Sequence, residues 1–174
     1  GYRAKHFGSV YRFAPTDSLG HSHRYNPFDF ISNDPATASN QATVLTYQVV
    51  VDDPHLKEPY WENRGRDLMW AFAMMIALKA RPEKRNMKGL AELMSVPLSE
   101  DPDSDIQLLI DSMIRVASRT GIFELESAAN AIRAGIVSGG TRLESVLDTG
   151  RRYLSTFTRS PTISNIIATS DWRP

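Results

Sequence analysis

The stretch Leu68-Met-Trp-Ala-Phe-Ala-Met-Met-Ile-Ala-Leu78 is an unbroken run of eleven apolar residues. A helix that crosses a lipid bilayer needs about 20 such residues, so this run is too short to be a membrane span. Because a helix formed by this run is apolar on every side, the run predicts a central helix that other helices surround. We expect this helix to open near Glu58-Pro59, to carry Trp61, and to end near Ala80.

Helix signals continue on both sides of this run. Upstream, Asp34-Pro35 is typical of an N-cap followed by a proline in the first helical turn. Small or apolar residues recur at helical spacing after that pair, at Ala38, Ala42, Leu45 and Val49. Downstream, residues 87–94 predict a short helix. The central run is therefore flanked by helices in both directions.

Two longer helices are predicted after residue 100. Ser104 with Gln107 forms a capping-box pattern, and Gly121 is a suitable stop for the helix that this box opens. The next helix is closed by Gly139-Gly140. Its apolar stripe consists of Leu125, Ala128, Ala129, Ile132 and Ile136.

The C-terminal part predicts one long helix and one short helix. Thr141 with Glu144 forms a second capping-box pattern, and Ser160-Pro161 predicts the start of the last helix. The fold class expected from all these signals is mainly α, a compact bundle of six to seven helices.

The N-terminal segment carries a different signal. Residues 9–13 alternate between polar and apolar side chains, which predicts a strand that ends at Pro15. A single strand cannot satisfy its own backbone hydrogen bonds. We therefore expect its sheet partners to lie outside this chain. The chain also begins with Gly1 instead of Met, so we expect it to be a piece of a larger protein.

Composition excludes several classes of protein. The 174 residues contain 20 Lys+Arg, 20 Asp+Glu and no Cys. Zero Cys excludes disulfide scaffolds, thiol nucleophiles and Cys-based zinc sites, and it suits a reducing compartment. Zero net charge argues against a general DNA clamp, because such domains carry a basic excess.

Signals for catalysis are weak. The spacing from Gly135 to Gly140 matches a phosphate-binding loop, but Thr141 stands where the lysine must be, so we interpret it as a turn between helices. His21 and His23 share one face of an extended segment, which suits either a metal pair or surface histidines. No Gly-x-Ser-x-Gly nucleophile motif is present. We predict no catalytic, cofactor-binding or metal-binding residues.

Charged residues form two clusters with two interpretations. A basic cluster at residues 79–88 is followed by an acidic cluster at residues 100–111. These charges complement helix dipoles, or they form a docking surface for a charged partner. In the second interpretation the partner-binding residues are Lys79, Arg81, Lys84, Arg85 and Lys88.

The methionines also allow two interpretations. All six lie on or near the central helices, where they would fill the core or line a groove for varied peptides. They are Met69, Met74, Met75, Met87, Met94 and Met113.

Three groups of motifs resemble one protein family. The first is Gly1-Tyr2-Arg3 with Gly8-Ser-Val-Tyr-Arg-Phe-Ala-Pro15 and Ser22-His-Arg-Tyr-Asn-Pro-Phe-Asp-Phe-Ile31. The second is Tyr60-Trp61 with Arg66 and Leu68, and the third runs from Pro161 to Asp171. Together they resemble the coupling ATPases of type IV secretion systems. Ala14 departs from the Asn that commonly precedes this proline in the family.

This resemblance implies a domain organisation. Residues 1–33 would be an edge segment of the nucleotide-binding domain, and its strand would belong to that parent domain. Residues 34–168 would be the inserted all-alpha domain, and residues 169–174 the return segment. The phosphate-binding loop and the acidic metal-associated strand of the family lie outside this segment. The chain would therefore be non-catalytic, and ATP and Mg would bind elsewhere in the parent.

The resemblance also implies a function. The parent would be a hexameric ATPase anchored in the bacterial inner membrane, with this soluble domain on the cytoplasmic face and monomeric when isolated. The domain would bind C-terminal secretion signals of protein effectors and recruit them, with other secretion-system components, to the channel. The alternative is a domain that contacts the relaxase, DNA and the relaxosome in conjugation. Neutral net charge favours the protein signal.

Overall fold

A computed structural model describes residues 9–17, 20–51 and 60–172. These residues contain seven α-helices and two single-turn 3-10 helices, at Pro27–Phe30 and Pro82–Lys84. The α-helices are α1 (Pro35–Val49), α2 (Tyr60–Lys79), α3 (Met87–Leu93), α4 (Asp105–Thr120), α5 (Phe123–Val137), α6 (Thr141–Arg159) and α7 (Pro161–Ile166). The prediction of a mainly-α bundle is confirmed.

The central helix is α2, which packs against α1, α3, α5 and α6. Residues 71–74 are fully buried, as expected for a helix that is apolar on every side. The predicted start at Glu58-Pro59 lies outside the described residues. All six methionines are at most 4% exposed, so the interpretation of core filling is confirmed. No helix among the described residues is both long enough and apolar enough to span a membrane.

Several predicted helix ends are confirmed by their contacts. Asp34 caps α1, because its carboxylate accepts hydrogen bonds from the backbone N–H and the hydroxyl of Thr37 at 2.9 and 2.7 Å. These bonds hold the pKa of the Asp34 carboxyl below its ordinary value. Gly121 ends α4 with a φ of 72°, in the left-handed region that glycine adopts without strain. Ser160 caps α7 through the N–H of Ile163.

Both predicted capping boxes are wrong in their contacts. Ser104 occupies the N-cap of α4, but its hydroxyl donates to the Asp101 carbonyl, and Gln107 donates to the Ser99 carbonyl. The preceding turn therefore uses both side chains. At α6 the N-cap is Gly140 in place of Thr141, and Glu144 instead accepts a hydrogen bond from Arg151 at 2.6 Å. A nearby guanidinium is a stronger donor for a carboxylate than a backbone N–H.

The predicted strand at residues 9–13 is not shown by the structure, in which residues 9–14 have no regular secondary structure. The cause is the absence of a neighbouring strand within the described residues. The segment instead pairs locally. The Arg12 N–H donates to His23 Nδ1 at 3.0 Å, the His23 N–H donates to the Arg12 carbonyl, and Ser22 Oγ accepts from the Ala14 N–H.

The two ends of the described chain meet in a paired segment that we call the terminal clasp, residues 24–26 with residues 166–171. The Tyr25 N–H donates to the Ile166 carbonyl at 2.9 Å, and the Asn26 N–H donates to Ser170 Oγ at 2.9 Å. Arg24 and Asp171 form an ion pair at 2.6 Å. The clasp therefore joins the segment before α1 to the end of α7 and the residues that follow it.

Aromatic rings cover the clasp. Trp172 stacks on Tyr11 and Tyr25 at centroid separations of 5.3 and 5.6 Å, and Phe30 stacks on Tyr25 at 5.1 Å. Phe28, within the predicted edge segment 1–33, is fully buried in the same core as the helices. The predicted boundaries at 33/34 and 168/169 stay predictions.

Candidate functional site

An open groove of about 1070 Å³ is lined by residues of α1, α2, α5 and the first two turns of α6. Beneath it lie buried apolar side chains of three helices, Leu68, Ile132, Leu143 and Val146. The indole N–H of Trp70 donates to the Ser39 carbonyl at 3.2 Å, which fastens α1 to α2 at the groove. The groove is therefore built on rigid helices.

Three large aromatic side chains on the groove are exposed to solvent. Tyr47 of α1 is 56% exposed, Tyr60 of α2 is 39% exposed, and Phe123 of α5 is 72% exposed. Exposed aromatics around a concavity are typical of a surface that binds a partner, because they supply large contact area at low conformational cost. The groove thus has the features of a docking site.

Arginine side chains lie over two of these rings. The Arg66 guanidinium lies 4.2 Å from the centroid of Tyr47, and the guanidinium groups of Arg64 and Arg142 lie 5.8 and 5.2 Å from that of Tyr60. All three distances are in the range of cation–π attraction. Tyr60 is therefore contacted by cations from two different helices, α2 and α6.

The three arginines differ in their availability to a ligand. Arg66 is 6% exposed and donates to Asn63 Oδ1 and to the Val50 carbonyl, each at 3.0 Å, so it fastens the end of α1 to α2. Arg64 and Arg142 are exposed. Arg64 has a long contact of 3.7 Å to Asp67. The described residues provide no ion-pair partner for Arg142.

The predicted basic cluster lies elsewhere, since none of its five residues lines the groove. Arg85 donates to the Ile31 carbonyl at 2.7 Å, and Lys84 pairs with Glu92 at 2.6 Å. Arg81 is 3.2 Å from Glu83. Lys79 and Lys88 are exposed and have no ion-pair partner within the described ranges. Lys79 lies in the last turn of α2, where a cation complements the helix dipole. A docking role for the cluster stays a prediction.

The two neighbouring histidines have separate partners. His23 Nδ1 accepts from the Arg12 N–H, whereas His21 Nδ1 lies 4.0 Å from Asp17. Among the described residues no group of three His, Cys, Asp or Glu side chains is placed to hold a metal ion.

The glycine-rich stretch is the predicted turn between helices. Gly139 and Gly140 have φ values of 92° and 75°, and they connect α5 to α6. The Gly140 N–H donates to the Gly135 carbonyl at 3.0 Å. A phosphate-binding loop follows a strand, and this stretch follows a helix.

Sequence reasoning missed the groove. Its aromatic residues lie on three helices, and Arg142 lies 82 positions after Tyr60. The pattern that would have pointed to them is a large aromatic residue outside the buried stripe of a helix, as at Tyr47 of α1. Their convergence depends on how the helices pack, which no local pattern encodes.

The chain was also compared with known proteins. The family model for type IV secretory system conjugative DNA transfer matches residues 1–173. This chain belongs to that family. The family resemblance of the sequence motifs is thereby confirmed. A comparison with curated proteins finds no match.

Proposed function

We propose that this chain is the substrate-recruiting, all-alpha domain of a type IV secretion coupling protein. In this proposal the groove receives a segment of the protein that is to be transferred, such as a C-terminal secretion signal of an effector. The observation that carries the proposal is the presence of three exposed aromatic rings on one groove, in a chain of the conjugative DNA transfer family. Such rings supply the anchors of a protein-binding site.

Charge supports a protein ligand. The chain has equal numbers of basic and acidic residues, and Asp67 and Glu124 line the groove beside its three arginines. Carboxylates in a groove repel the phosphate backbone of a nucleic acid, whereas a peptide with mixed side chains tolerates them.

The proposal includes the surroundings of the domain. The parent is a hexameric ATPase anchored in the bacterial inner membrane, and this domain, monomeric when isolated, faces the cytoplasm and other secretion-system components. ATP and Mg bind to the parent outside this chain, which we propose to be non-catalytic. ATP hydrolysis by the isolated chain would contradict that part.

The test is a calorimetric titration of the 174-residue chain with purified substrate proteins of its own secretion system. We expect saturable binding, and we expect Phe123→Ala to weaken it about tenfold, the effect of removing an aromatic anchor. Val137→Ala is the matched control, because Val137 lies on the same helix, is also 72% exposed and lies outside the groove. Absence of binding to every substrate protein would contradict the proposal.

A second candidate function is contact with DNA or with the relaxase in the relaxosome. The exposed cations Lys79, Arg81 and Lys88 favour it. A titration with DNA at several salt concentrations separates the two functions, since binding that depends on phosphate contacts weakens steeply as salt rises. Tight, salt-dependent DNA binding that the substitutions Lys79→Ala and Lys88→Ala abolish would favour this second function.

A further inference from the structure

We infer that the groove recognises an acidic side chain in an extended peptide segment, and that Arg142 and Arg64 bind its carboxylate beside Tyr60. This inference rests on the proposed function, since it names the chemistry of the segment that the domain recruits.

The exposed ring of Tyr60 lies beside the guanidinium groups of Arg64 and Arg142 in the groove, where a ligand can reach them. The Arg142 guanidinium lies 5.2 Å from the ring centroid and that of Arg64 lies 5.8 Å from it. A guanidinium that rests on an aromatic ring has already lost part of its rotamer freedom, so less is lost when it binds a carboxylate. The two arginines come from α6 and α2, so a ligand that contacts both is fixed relative to two helices.

Both cations are available to a carboxylate. Arg142 is exposed and has no ion-pair partner within the described residues. Arg64 contacts Asp67 at 3.7 Å, and the two side chains are 59% and 66% exposed. An exposed pair at that distance contributes little, so a ligand carboxylate can replace Asp67 at small cost. Guanidinium groups bind carboxylates by two parallel hydrogen bonds, which gives geometric selectivity.

The remainder of the groove suits a peptide. The side chains of Ala128 and Ala131 are small, which lets a peptide backbone come close to α5. Phe123, on the same helix, supplies an exposed ring for an apolar side chain of the ligand. The expected segment is therefore an extended one in which an acidic residue lies near an apolar residue. Asp67 and Glu124 disfavour a polyphosphate chain in this place.

The probe is a short synthetic peptide with an amidated C-terminus that contains glutamates beside a leucine, together with its glutamine counterpart. Amidation removes the terminal carboxylate, so binding reports the acidic side chains. Binding to the full chain is followed by nuclear magnetic resonance, with the Nε–H signals of the arginines as the readout. We expect the glutamate peptide to bind about tenfold more tightly than the glutamine peptide, as for hydrogen bonds to charged groups.

Arg142→Ala and Arg64→Ala should each remove most of this preference for glutamate. The matched control is Arg152→Ala, since Arg152 is exposed on the same helix as Arg142 and lies outside the groove. It should leave the preference unchanged. Tyr60→Phe should retain the preference, because the ring that holds the guanidinium groups is kept, whereas Tyr60→Leu should weaken it.

Several outcomes would overturn the inference. These are equal binding of the two peptides, no binding of the glutamate peptide, an unchanged preference in Arg142→Ala, or displacement of the peptide by single-stranded DNA at physiological salt. The proposed function can fail separately. Substrate proteins that bind equally well to wild type and Arg142→Ala would keep the function and remove the inference. Binding of the glutamate peptide without binding of any substrate protein would keep the inference and remove the proposed function.

Discussion

At the scale of single residues, Gly89 is the clearest case of a position that only glycine can occupy. Two backbone segments approach each other closely at this residue. This glycine is buried in α3, and a Cβ at this position would overlap the carbonyl oxygen of Lys84. Backbone cannot move aside as the end of a flexible side chain does. The turn between α2 and α3 therefore requires a residue without a side chain at this place.

We predict that Gly89→Ala destabilises the protein by about 1–3 kcal/mol, in spite of the higher helix propensity of alanine, because the added methyl group forces the turn apart. Urea unfolding followed by circular dichroism measures the change. Lys88→Ala is the control, since this exposed neighbour should alter stability by less than about 0.5 kcal/mol. Equal stability of Gly89→Ala and wild type would show that the turn relaxes.

At the scale of elements, the start of α3 depends on one buried side chain. Asn86 Oδ1 accepts from the Gly89 N–H at 3.0 Å, and Asn86 Nδ2 donates to the Glu83 carbonyl at 3.0 Å. The Asn86 side chain is 6% exposed and Gly89 is buried, so removal of this side chain would leave the Gly89 N–H without a partner in a place that water hardly reaches. Asn86 thus joins the 3-10 turn at Pro82–Lys84 to the helix that follows it.

We predict that Asn86→Ala destabilises the protein by about 1–2 kcal/mol, since it removes an N-cap and a second hydrogen bond. Asn86→Asp keeps the accepting oxygen and loses the donor, so it should cost less. Thermal unfolding of the three proteins gives the order. If Asn86→Asp proves as unstable as Asn86→Ala, the capping bond contributes nothing.

The seven α-helices were predicted from the sequence, but their caps were predicted unevenly. Apolar periodicity together with the cap and stop residues predicted α1 to α7, because both signals depend on residues that are close in sequence. Asp34 and Ser160 were identified as caps, whereas Asn86 was missed and both capping boxes were wrong. A cap competes with every other hydrogen-bond partner in reach, as Glu144 shows by binding Arg151.

The groove was not predicted at all, because its residues lie on α1, α2, α5 and α6 and come together only when these helices pack.

At the scale of the whole molecule, the terminal clasp joins the two ends of the helical bundle. Arg24 and Asp171 exchange four contacts, two through the backbone of Arg24 and two through its side chain. The Arg24 N–H and Nε donate to the carboxylate at 2.8 Å each, the Asp171 N–H donates to the Arg24 carbonyl at 3.1 Å, and an Arg24 Nη2 contact at 2.6 Å completes the ion pair. Arg24 and Asp171 are 147 positions apart in the sequence.

We predict that the clasp makes stability sensitive to acid. The hydrogen bonds from Arg24 hold the pKa of the Asp171 carboxyl below its ordinary value of 3.8. A lowered pKa means that this contribution is fully present above about pH 4 and is lost as the pH falls through the lower, folded-state value. Asp171→Asn should be less stable than wild type at pH 7, and the difference should shrink in acid.

Urea unfolding at pH 7 and at pH 3 measures this difference. Asp103→Asn serves as the control, because Asp103 is exposed and has no ion-pair partner within the described part of the chain. A stability difference between Asp171→Asn and wild type that is the same at both pH values would contradict the prediction.

The clasp has a consequence for how such a domain can be exchanged. The rings of Tyr11 and Trp172, near the two described ends, are stacked 5.3 Å apart, so the segments that enter and leave the bundle lie side by side. If the domain recruits substrates as proposed, a hybrid coupling protein that carries it between two such adjacent segments should acquire its substrate preference.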